Sequence, residues 1–180
     1  MFESILPTVV TAIWLMLPAY IPNNAAVVFG GGRRIDAGRE WKGRRVLGDG
    51  KTWRGSLGGF VSGFVLALVL NFVTLSLPGL SLPGFSHGAA ISLPLGAVLG
   101  DIGASFVKRR LGRERGESFP LLDQLDFVVG AWGLTAVIDT DWFLRLFTSE
   151  IIIAVLIITP LLHLTVNVVG YKMGVKNEPW

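Results

Sequence analysis

Three aspartates stand in or next to apolar stretches of this sequence, where an ionised carboxylate is unfavourable. Asp101 lies within the apolar run 88–107, and Asp123 and Asp126 open the next run, 127–138. An aspartate at the centre of a membrane helix costs about 2.5–3.5 kcal/mol, so such a residue usually faces a bundle interior and marks a functional site. Carboxylate oxygens are ligands that Mg²⁺ prefers. We therefore predict a magnesium site formed by these three carboxylates.

Basic residues fill the segment between the two apolar runs: Lys108, Arg109, Arg110, Arg113 and Arg115. Acidic groups for a metal ion beside basic groups for phosphate indicate phosphoryl chemistry at a membrane face. Asp101, Ser105 and Lys108 are spaced i, i+4 and i+7, which stacks them on one helix face, and Asp123 and Asp126 are spaced i, i+3. The alternative interpretation is internal ion pairing, of Asp101 with Lys108 or of Asp126 with a loop arginine.

A second candidate site precedes the second apolar run, in the sequence Leu47-Gly-Asp-Gly-Lys-Thr-Trp-Arg-Gly55. Lys51 supplies a point charge and Arg54 a planar fork, and both suit phosphate oxygens. If a helix begins near Thr52, both bases lie on one side and the N–H groups of the first turn add anion affinity. The string is not a P-loop, because its first glycine is misplaced and no strand precedes it. Attraction to lipid headgroups is the alternative interpretation.

The composition is that of a membrane protein with several spans. Hydrophobic residues make up 51% of the chain, and the mean hydropathy is +0.58. We predict an all-α integral membrane protein with about five transmembrane helices in a single catalytic domain, residues 1–180. The absence of Cys excludes a disulfide framework and a thiolate metal site. The predicted spans are 4–21, 56–77, 88–108, 124–141 and 150–170.

The distribution of basic residues predicts the orientation. Most of the 16 Lys and Arg residues lie in alternate connections, and the connection 78–87 has none. The positive-inside rule then places the N-terminus outside and the C-terminus in the cytoplasm of a multi-pass cell-membrane protein, with the candidate site facing the cytoplasm. Besides the cluster at 108–115, the basic residues that decide this are Arg33, Arg34, Arg39, Lys42, Arg44, Arg45, Lys51, Arg54, Lys172 and Lys176.

Glycines at four-residue spacing predict close contacts between helices. They are Gly55, Gly59 and Gly63 in the second span and Gly96, Gly100 and Gly103 in the third. The apolar run 127–138 is only about 18 Å long as a helix, so this helix must extend back through the aspartates, forward through Asp139 and Asp141, or both. We interpret Asp139 and Asp141 as an outer interfacial belt.

Two histidines carry no specific signal. His87 is assigned to an outer loop. His163 and Asn167 are spaced i, i+4, which favours a hydrogen bond between helices over a ligand role.

Two segments together resemble a known enzyme family. Residues 50–55, Gly-Lys-Thr-Trp-Arg-Gly, resemble the Lys-Thr-(Trp/Phe)-Glu-Gly segment of phosphatidate cytidylyltransferases, with Arg54 in place of Glu. The second segment is similar to that family's signature, which closes on Asp-Arg-x-Asp, although residues 119–122, Phe-Pro-Leu-Leu, replace Pro-Gly-His-Gly-Gly. The matching residues are Gly100-Asp101, Ser105, Lys108-Arg109, Pro120 and Asp123-x-x-Asp126.

The short length and the five spans resemble most the archaeal branch of this family, the CDP-archaeol synthases. Resemblance to that branch would also explain why the chain contains the segments Tyr20-Ile-Pro-Asn-Asn24 and Ile35-Asp36. The resemblance covers about residues 18–55 and 96–130, and the fifth span lies outside it. The two departures from the bacterial pattern concern the lipid substrate more than the reaction.

The resemblance implies a Mg²⁺-dependent reaction of CTP with an isoprenoid diether glycerol phosphate, unsaturated archaetidic acid, which gives a CDP-archaeol-type lipid and pyrophosphate. It implies that Asp101, Asp123 and Asp126 hold the metal ion and act with Lys108 as catalytic residues. The partners would be CTP, the lipid phosphate and the bilayer, with no nucleic acid. The substrate-binding residues would be Asn23 and Asn24, just after the first helix, and Lys51, Thr52, Arg54, Ser105 and Arg109.

Other membrane proteins with intramembrane acids provide alternatives. The sequence pattern of the CDP-alcohol phosphotransferases resembles Asp-Gly-x-x-Ala-Arg followed by Gly-x-x-x-Asp-x-x-x-Asp. Here Asp101 is instead followed by Ile-Gly. A phosphatidate cytidylyltransferase would act on an acyl lipid. An ion-coupled transporter would more often show internal repeats, and a scaffold would not explain the acids.

Overall fold

Six α-helices make up most of the structure, a computed structural model that describes residues 2–113, 117, 119, 121–172 and 174. A hairpin of β1 (Glu40–Trp41) and β2 (Arg44–Arg45) interrupts the first connection, and a 3-10 turn occupies Pro78–Leu80. Arg115, Pro120 and Lys176, which the sequence analysis used, lie outside the described residues. The helices are α1 (Phe2–Val28), α2 (Trp53–Ser76), α3 (His87–Arg110), α4 (Leu122–Ile138), α5 (Thr140–Leu146) and α6 (Ser149–Lys172).

The all-α membrane architecture that the sequence predicts is confirmed. Among the described residues, four segments are long and apolar enough to cross a membrane: Ile5–Val28, Trp53–Ser76, His87–Arg110 and Ser149–Val166. Helix α4 has 17 residues, about 25 Å, which is shorter than a hydrocarbon layer of about 30 Å. It extends the apolar run back to Leu122 and ends before Asp139. A fifth crossing and the orientation remain predictions.

Helix α1 is longer than the sequence predicts, because it continues through Pro22 to Val28. The prediction that Asn23 and Asn24 follow the first helix was therefore wrong. Proline removes one helical hydrogen bond, but neighbouring helices can compensate for it in a membrane bundle. The carbonyl of Pro18, which the missing N–H of Pro22 would have served, lies against α2 at Gly63.

The predicted glycine face of α2 is confirmed as a contact with α1. Gly55, Gly59 and Gly63 are buried. A Cβ atom built at Gly59 would lie 2.6 Å from the carbonyl oxygen of Pro22, which is too close for any side chain. Successive turns of α2 therefore pack directly on the backbone of the end of α1 that carries the two asparagines.

Helices α3 and α4 also meet backbone to backbone. Side chains built at Gly96 and Gly100 would collide with the carbonyl oxygens of Gly130 and Asp126, respectively. Gly100 thus allows the Asp126 segment to lie beside the neighbouring Asp101. The prediction for Gly103 was wrong, because a Cβ atom there would meet nothing within 4 Å; among the described residues, no neighbouring helix packs closely on α3 at this position.

We expect Gly100→Ala to destabilise the protein, whereas Gly103→Ala should not. The methyl group at position 100 would force α4 outwards, and overpacking of this kind costs about 1–3 kcal/mol. At position 103 alanine has free space and a better helix propensity. Thermal unfolding of the two variants in the same detergent measures the difference. Equal midpoints would contradict the direct packing of α3 on α4.

The far end of α4 is joined to the start of α3. Asp139 accepts hydrogen bonds from the Ser86 hydroxyl and from the backbone N–H of Trp142, at 3.3 Å, and thereby caps α5. Ser86 in turn caps α3 by accepting from Ala89 N–H at 3.0 Å. His87 is the first residue of α3, so its assignment to an outer loop was wrong. Asp139 has a structural role at the end of α4 opposite to Asp123.

Candidate active site

The three predicted carboxylates line one cavity of about 890 Å³. It lies among the end of α1, the connection 29–52 (loop one), the start of α2, the C-terminal half of α3, the start of α4 and α6. Asp101, Ser105 and Lys108 reach it from one face of α3, and Asp123 and Asp126 reach it from α4. The spacing of these five residues along their helices thus predicted correctly which of them share a face.

Two of the three carboxylates are paired with lysines. Lys51 of loop one donates to Asp101 Oδ2, and Lys108 Nζ lies 2.7 Å from Asp123 Oδ1. The internal ion pairs that the sequence left open as an alternative therefore occur, but with different partners. Among the described residues Asp126 pairs with no lysine or arginine, and its Oδ1 accepts from Phe127 N–H at 2.5 Å.

The peptide around Asp123 is held by its own carboxylate. Asp123 Oδ2 accepts from the backbone N–H of Phe119 at 2.9 Å, and Leu121 between them has a φ of +66°. This turn begins α4 next to the C-terminal end of α3 and fixes the direction of the Asp123 side chain. Within the described part of the chain, no three Asp, Glu or His side chains are grouped closely enough to hold a metal ion by themselves.

Lys51 is placed by backbone pairing between two parts of loop one. Ile35 N–H donates to the Lys51 carbonyl at 2.9 Å, and Trp53 N–H donates to the Arg33 carbonyl at 3.1 Å. Thr52 then caps α2, because its hydroxyl accepts from Gly55 N–H at 3.1 Å. Helix α2 thus begins near Thr52, the condition under which Lys51 and Arg54 were expected to lie on one side, and the Thr52 hydroxyl serves the cap. Arg54 nevertheless does not share the cavity with Lys51.

The other predicted substrate-binding residues divide into two groups. Asn23 and Asn24 line the cavity, and Asn24 Nδ2 also donates to the Tyr20 carbonyl at 3.5 Å. Arg54 is exposed and Arg109 lies against Gly48, where it donates to the Arg113 carbonyl. Neither arginine is among the residues that line the cavity.

Helix α6 supplies a wall of the cavity that the sequence analysis missed. Thr159, His163 and Val166 line it, and the Thr159 and Tyr20 hydroxyl oxygens are 2.8 Å apart. These three α6 residues are spaced i, i+4 and i+7, so they share one helix face. That periodicity was the available signal, and it favours a cavity position for His163. The side chain of Asn167 lies outside the described residues.

Comparison with known proteins gives one consistent family. The protein-family model described as CarS-like, CDP-archaeol synthase, matches residues 5–180. The chain is similar to the CDP-archaeol synthase of Halorubrum lacusprofundi, with 58% identity covering 96% of this chain and 97% of the relative. It is 59% identical to that of Haloarcula marismortui over the same shares. With that of Methanosarcina mazei it shares 50% identity, covering 92% of this chain and all of the relative.

One solved structure has the same fold. It is an intramembrane enzyme for archaeal membrane lipids biosynthesis, with a TM-score of 0.73 and 38% sequence identity. The match covers 89% of this chain and 94% of the other chain. The agreement therefore extends beyond the two sequence segments that carried the resemblance.

Proposed function

Because this chain belongs to the family of CDP-archaeol synthases, CTP-using enzymes of archaeal membrane lipid biosynthesis, we propose that its cavity joins CTP to an isoprenoid diether glycerol phosphate. The products are a CDP-archaeol-type lipid and pyrophosphate. The observation that carries this proposal is the convergence of three carboxylates and two lysines on one cavity between membrane helices. Lysines can neutralise phosphate charge directly, and carboxylates can do so through a cation that they hold. Two polyanionic substrates could be brought together in this way.

The reaction is an in-line displacement. An oxygen of the lipid phosphate attacks the α-phosphorus of CTP, a new P–O bond forms, and the bond to the β-phosphate oxygen breaks to release pyrophosphate. A phosphate monoester is already anionic at neutral pH, so no general base is required. Positioning and charge neutralisation must therefore provide the catalysis.

The residues present fit a Mg²⁺ ion held by Asp101, Asp123 and Asp126. Carboxylates from two adjacent helices meet at the cavity, and Asp126 has no basic partner in the described part of the chain. Mg²⁺ normally takes one or two carboxylates and completes its octahedron with waters and substrate phosphates, which agrees with a donor set that is incomplete by itself. When bound, the ion would neutralise phosphate charge and stabilise the leaving pyrophosphate.

Two lysines at the cavity can bind phosphate directly. Lys51 and Lys108 line the cavity, and each has a charged nitrogen beside a carboxylate. Ser105 lies between Asp101 and Lys108 on the same face and can donate to a phosphate oxygen. Asn23 and Asn24 can bind the cytosine or a phosphate from the α1 side. Thr52 caps α2 at the cavity edge. Arg54 and Arg109 lie outside the cavity lining and would attract the incoming anionic substrates.

A direct assay tests the reaction and the lipid class together. Purified protein is given radiolabelled CTP, Mg²⁺ and either the unsaturated diether phosphate or phosphatidic acid. We expect a CDP-lipid that forms with the diether substrate and disappears when Mg²⁺ is chelated. A product formed only from phosphatidic acid would instead support the acyl-lipid alternative, and no product from either lipid would contradict the proposal.

We propose that the cavity opens to the cytoplasm in a multi-pass protein of the cell membrane. The basic residues of loop one and of the α3 end support this side, and CTP is a cytoplasmic solute that does not cross the bilayer. The lipid would then reach the cavity sideways from the inner leaflet, with its chains left in the hydrocarbon.

Cysteine labelling tests this orientation. The protein has no Cys, so Ser56→Cys, at a cavity-lining position with no assigned role in binding, introduces a single reactive thiol at the cavity wall. We expect a membrane-impermeant maleimide to label it only from the cytoplasmic side of sealed vesicles, and CTP with Mg²⁺ to slow the labelling. Labelling from the outside would contradict the orientation, and labelling that ignores CTP would contradict the site.

A further inference from the structure

Asp36 is a buried carboxylate in loop one, where most residues are exposed and basic side chains outnumber acidic ones. Its side chain is 1% exposed. Oδ1 accepts from Gly38 N–H at 3.0 Å, and Oδ2 accepts from Leu47 N–H and Gly48 N–H, both at 3.1 Å. Arg45 Nη2 donates to both oxygens, at 2.8 and 3.1 Å. Asp36 therefore ties its own turn to the segment that leads to Lys51.

The surroundings of Asp36 keep it charged. Burial alone would raise the pKa of Asp36, but the bonds from Arg45 and from three backbone N–H groups outweigh it and lower that pKa well below the ordinary value of 3.8. Because its pKa is lowered, the carboxylate is ionised and keeps its hydrogen bonds at any pH above the ordinary pKa. It is protonated, and loses that stabilisation, only in strong acid. The network is therefore intact at neutral pH.

The Asp36 network continues to the cavity wall. Arg45 Nη1 also donates to Asp49 Oδ1 at 2.6 Å, so one guanidinium joins the two aspartates. Asp49, Gly50 and Lys51 all line the cavity. The peptide from position 45 to 49 is thus held at both ends, with Lys51 two residues beyond and directed to Asp101.

The opposite side of loop one is fixed to the helix that carries Asp101. Arg110, at the end of α3, donates to the carbonyls of Trp41 at 2.6 Å and Arg45 at 2.7 Å, and its guanidinium lies 5.1 Å from the centre of the Trp41 ring. The hairpin and its turn, where Lys42 and Gly43 both have positive φ, are therefore attached to α3. Asp36 completes the connection from this attachment to Lys51.

We propose that Asp36 is a positioning residue for the reaction, which holds the segment 47–51 as a preformed wall of the cavity so that Lys51 meets the incoming nucleotide phosphates. This inference rests on the proposed function for the role of Lys51. Every hydrogen bond to the Asp36 carboxylate from the described residues comes from loop one itself. Its loss should therefore loosen the wall and leave the helix bundle in place.

The variant Asp36→Asn tests the proposal, and Glu40→Gln is its matched control. Both changes remove one negative charge from loop one, but Glu40 is exposed on the hairpin. In full-length protein in detergent, we expect Asp36→Asn to increase hydrogen–deuterium exchange at least tenfold in residues 46–52. Exchange in α2 and α3 and the thermal midpoint should stay close to those of Glu40→Gln. Unchanged exchange at 46–52 would overturn the proposal without any reference to activity.

Kinetics then separate positioning from a purely structural role. We expect Asp36→Asn to raise the KM for CTP at least tenfold, with a smaller change in KM for the lipid. In a Lys51→Met background the same change should have less than a threefold effect on CTP binding, because the group that it positions is gone. A loosened wall with an unchanged KM for CTP, or a full effect in the Lys51→Met background, would overturn the role. Absence of CTP transfer by the unmodified protein would contradict the proposed function, and the exchange result would still decide whether Asp36 holds the wall.

Discussion

Asp126→Asn is expected to lower CTP transfer at least about 100-fold while the protein remains folded. Asp126 is the one of the three predicted carboxylates that pairs with no lysine or arginine among the described residues, so it is the one most available to a metal ion. Asparagine has nearly the same shape, but it lacks the negative charge that a hard cation requires. We expect losses of the same order for Asp101→Asn and Asp123→Asn, which would also leave Lys51 or Lys108 without its partner.

The measurement is turnover as a function of Mg²⁺ concentration, with Asp141→Asn as the control. Asp141 is an exposed acid in α5. It follows the C-terminal end of α4, whereas Asp123 lies in the first turn of that helix. Its neutralisation should leave turnover within a factor of two. Near wild-type turnover of any one cavity variant at limiting Mg²⁺ would show that this aspartate is not a metal ligand.

Binding of a paramagnetic ion provides a second measurement that does not depend on activity. Mn²⁺ prefers the same oxygen ligands as Mg²⁺, and its free concentration can be followed by electron paramagnetic resonance. In the presence of CTP, we expect Mn²⁺ to bind the unmodified protein and Asp141→Asn, and to bind Asp126→Asn at least tenfold more weakly. Equal affinities would assign Asp126 to a role in folding or in lipid binding.

That the three carboxylates share one cavity was predictable because two simple constraints act on them. A charge in hydrocarbon must face the interior of a bundle, and helix periodicity then decides which residues share that face. Asp101, Ser105 and Lys108 share one face of α3, as this periodicity requires. The contacts of Gly59 and Gly100 were predictable for a different reason, because small residues let neighbouring backbones approach closely. Each of these predictions uses the sequence of one helix only.

The partners of the carboxylates were not predictable from the same rules. Lys51 and Asp101 are 50 positions apart, and their contact depends on how loop one folds back over the end of α3. That folding rests on Asp36 and on Arg110, whose bonds to backbone groups leave little trace in a pattern of residue types. Interpretation by local sequence thus found the charged groups and missed how they are paired.

Helix ends and the α6 wall were missed for a related reason. Pro22 followed by two asparagines has the composition of a helix end in a soluble protein, but packing against α2 extends α1 to Val28. The cavity residues of α6 were missed because their signal, two polar residues spaced i, i+4 in an apolar stretch, is also what a hydrogen bond between helices produces. In both cases tertiary packing decided the outcome.

Lys51→Met and Lys108→Met are each expected to lower kcat/KM for CTP about 100-fold or more, which corresponds to about 2.7 kcal/mol of transition-state stabilisation. Both lysines line the cavity, with side chains only 22% and 17% exposed, and a charge partly shielded from water acts strongly on phosphate oxygens. Methionine keeps much of the length and apolar surface of lysine, so the change mainly removes charge. Asp101 or Asp123 would at the same time lose its partner, and Mg²⁺ should then bind more readily in the absence of CTP.

The control for both variants is Arg33→Ala, because Arg33 is an exposed base of loop one, which also carries Lys51. Its removal should change activity by less than threefold and only at low salt, since exposed charges are screened within about 10 Å at 0.1 M salt. The Lys51 and Lys108 losses should persist at high salt. If all three variants lost activity equally, or if salt abolished the differences, the bases of loop one would act through attraction to the anionic membrane surface and not through contacts with CTP.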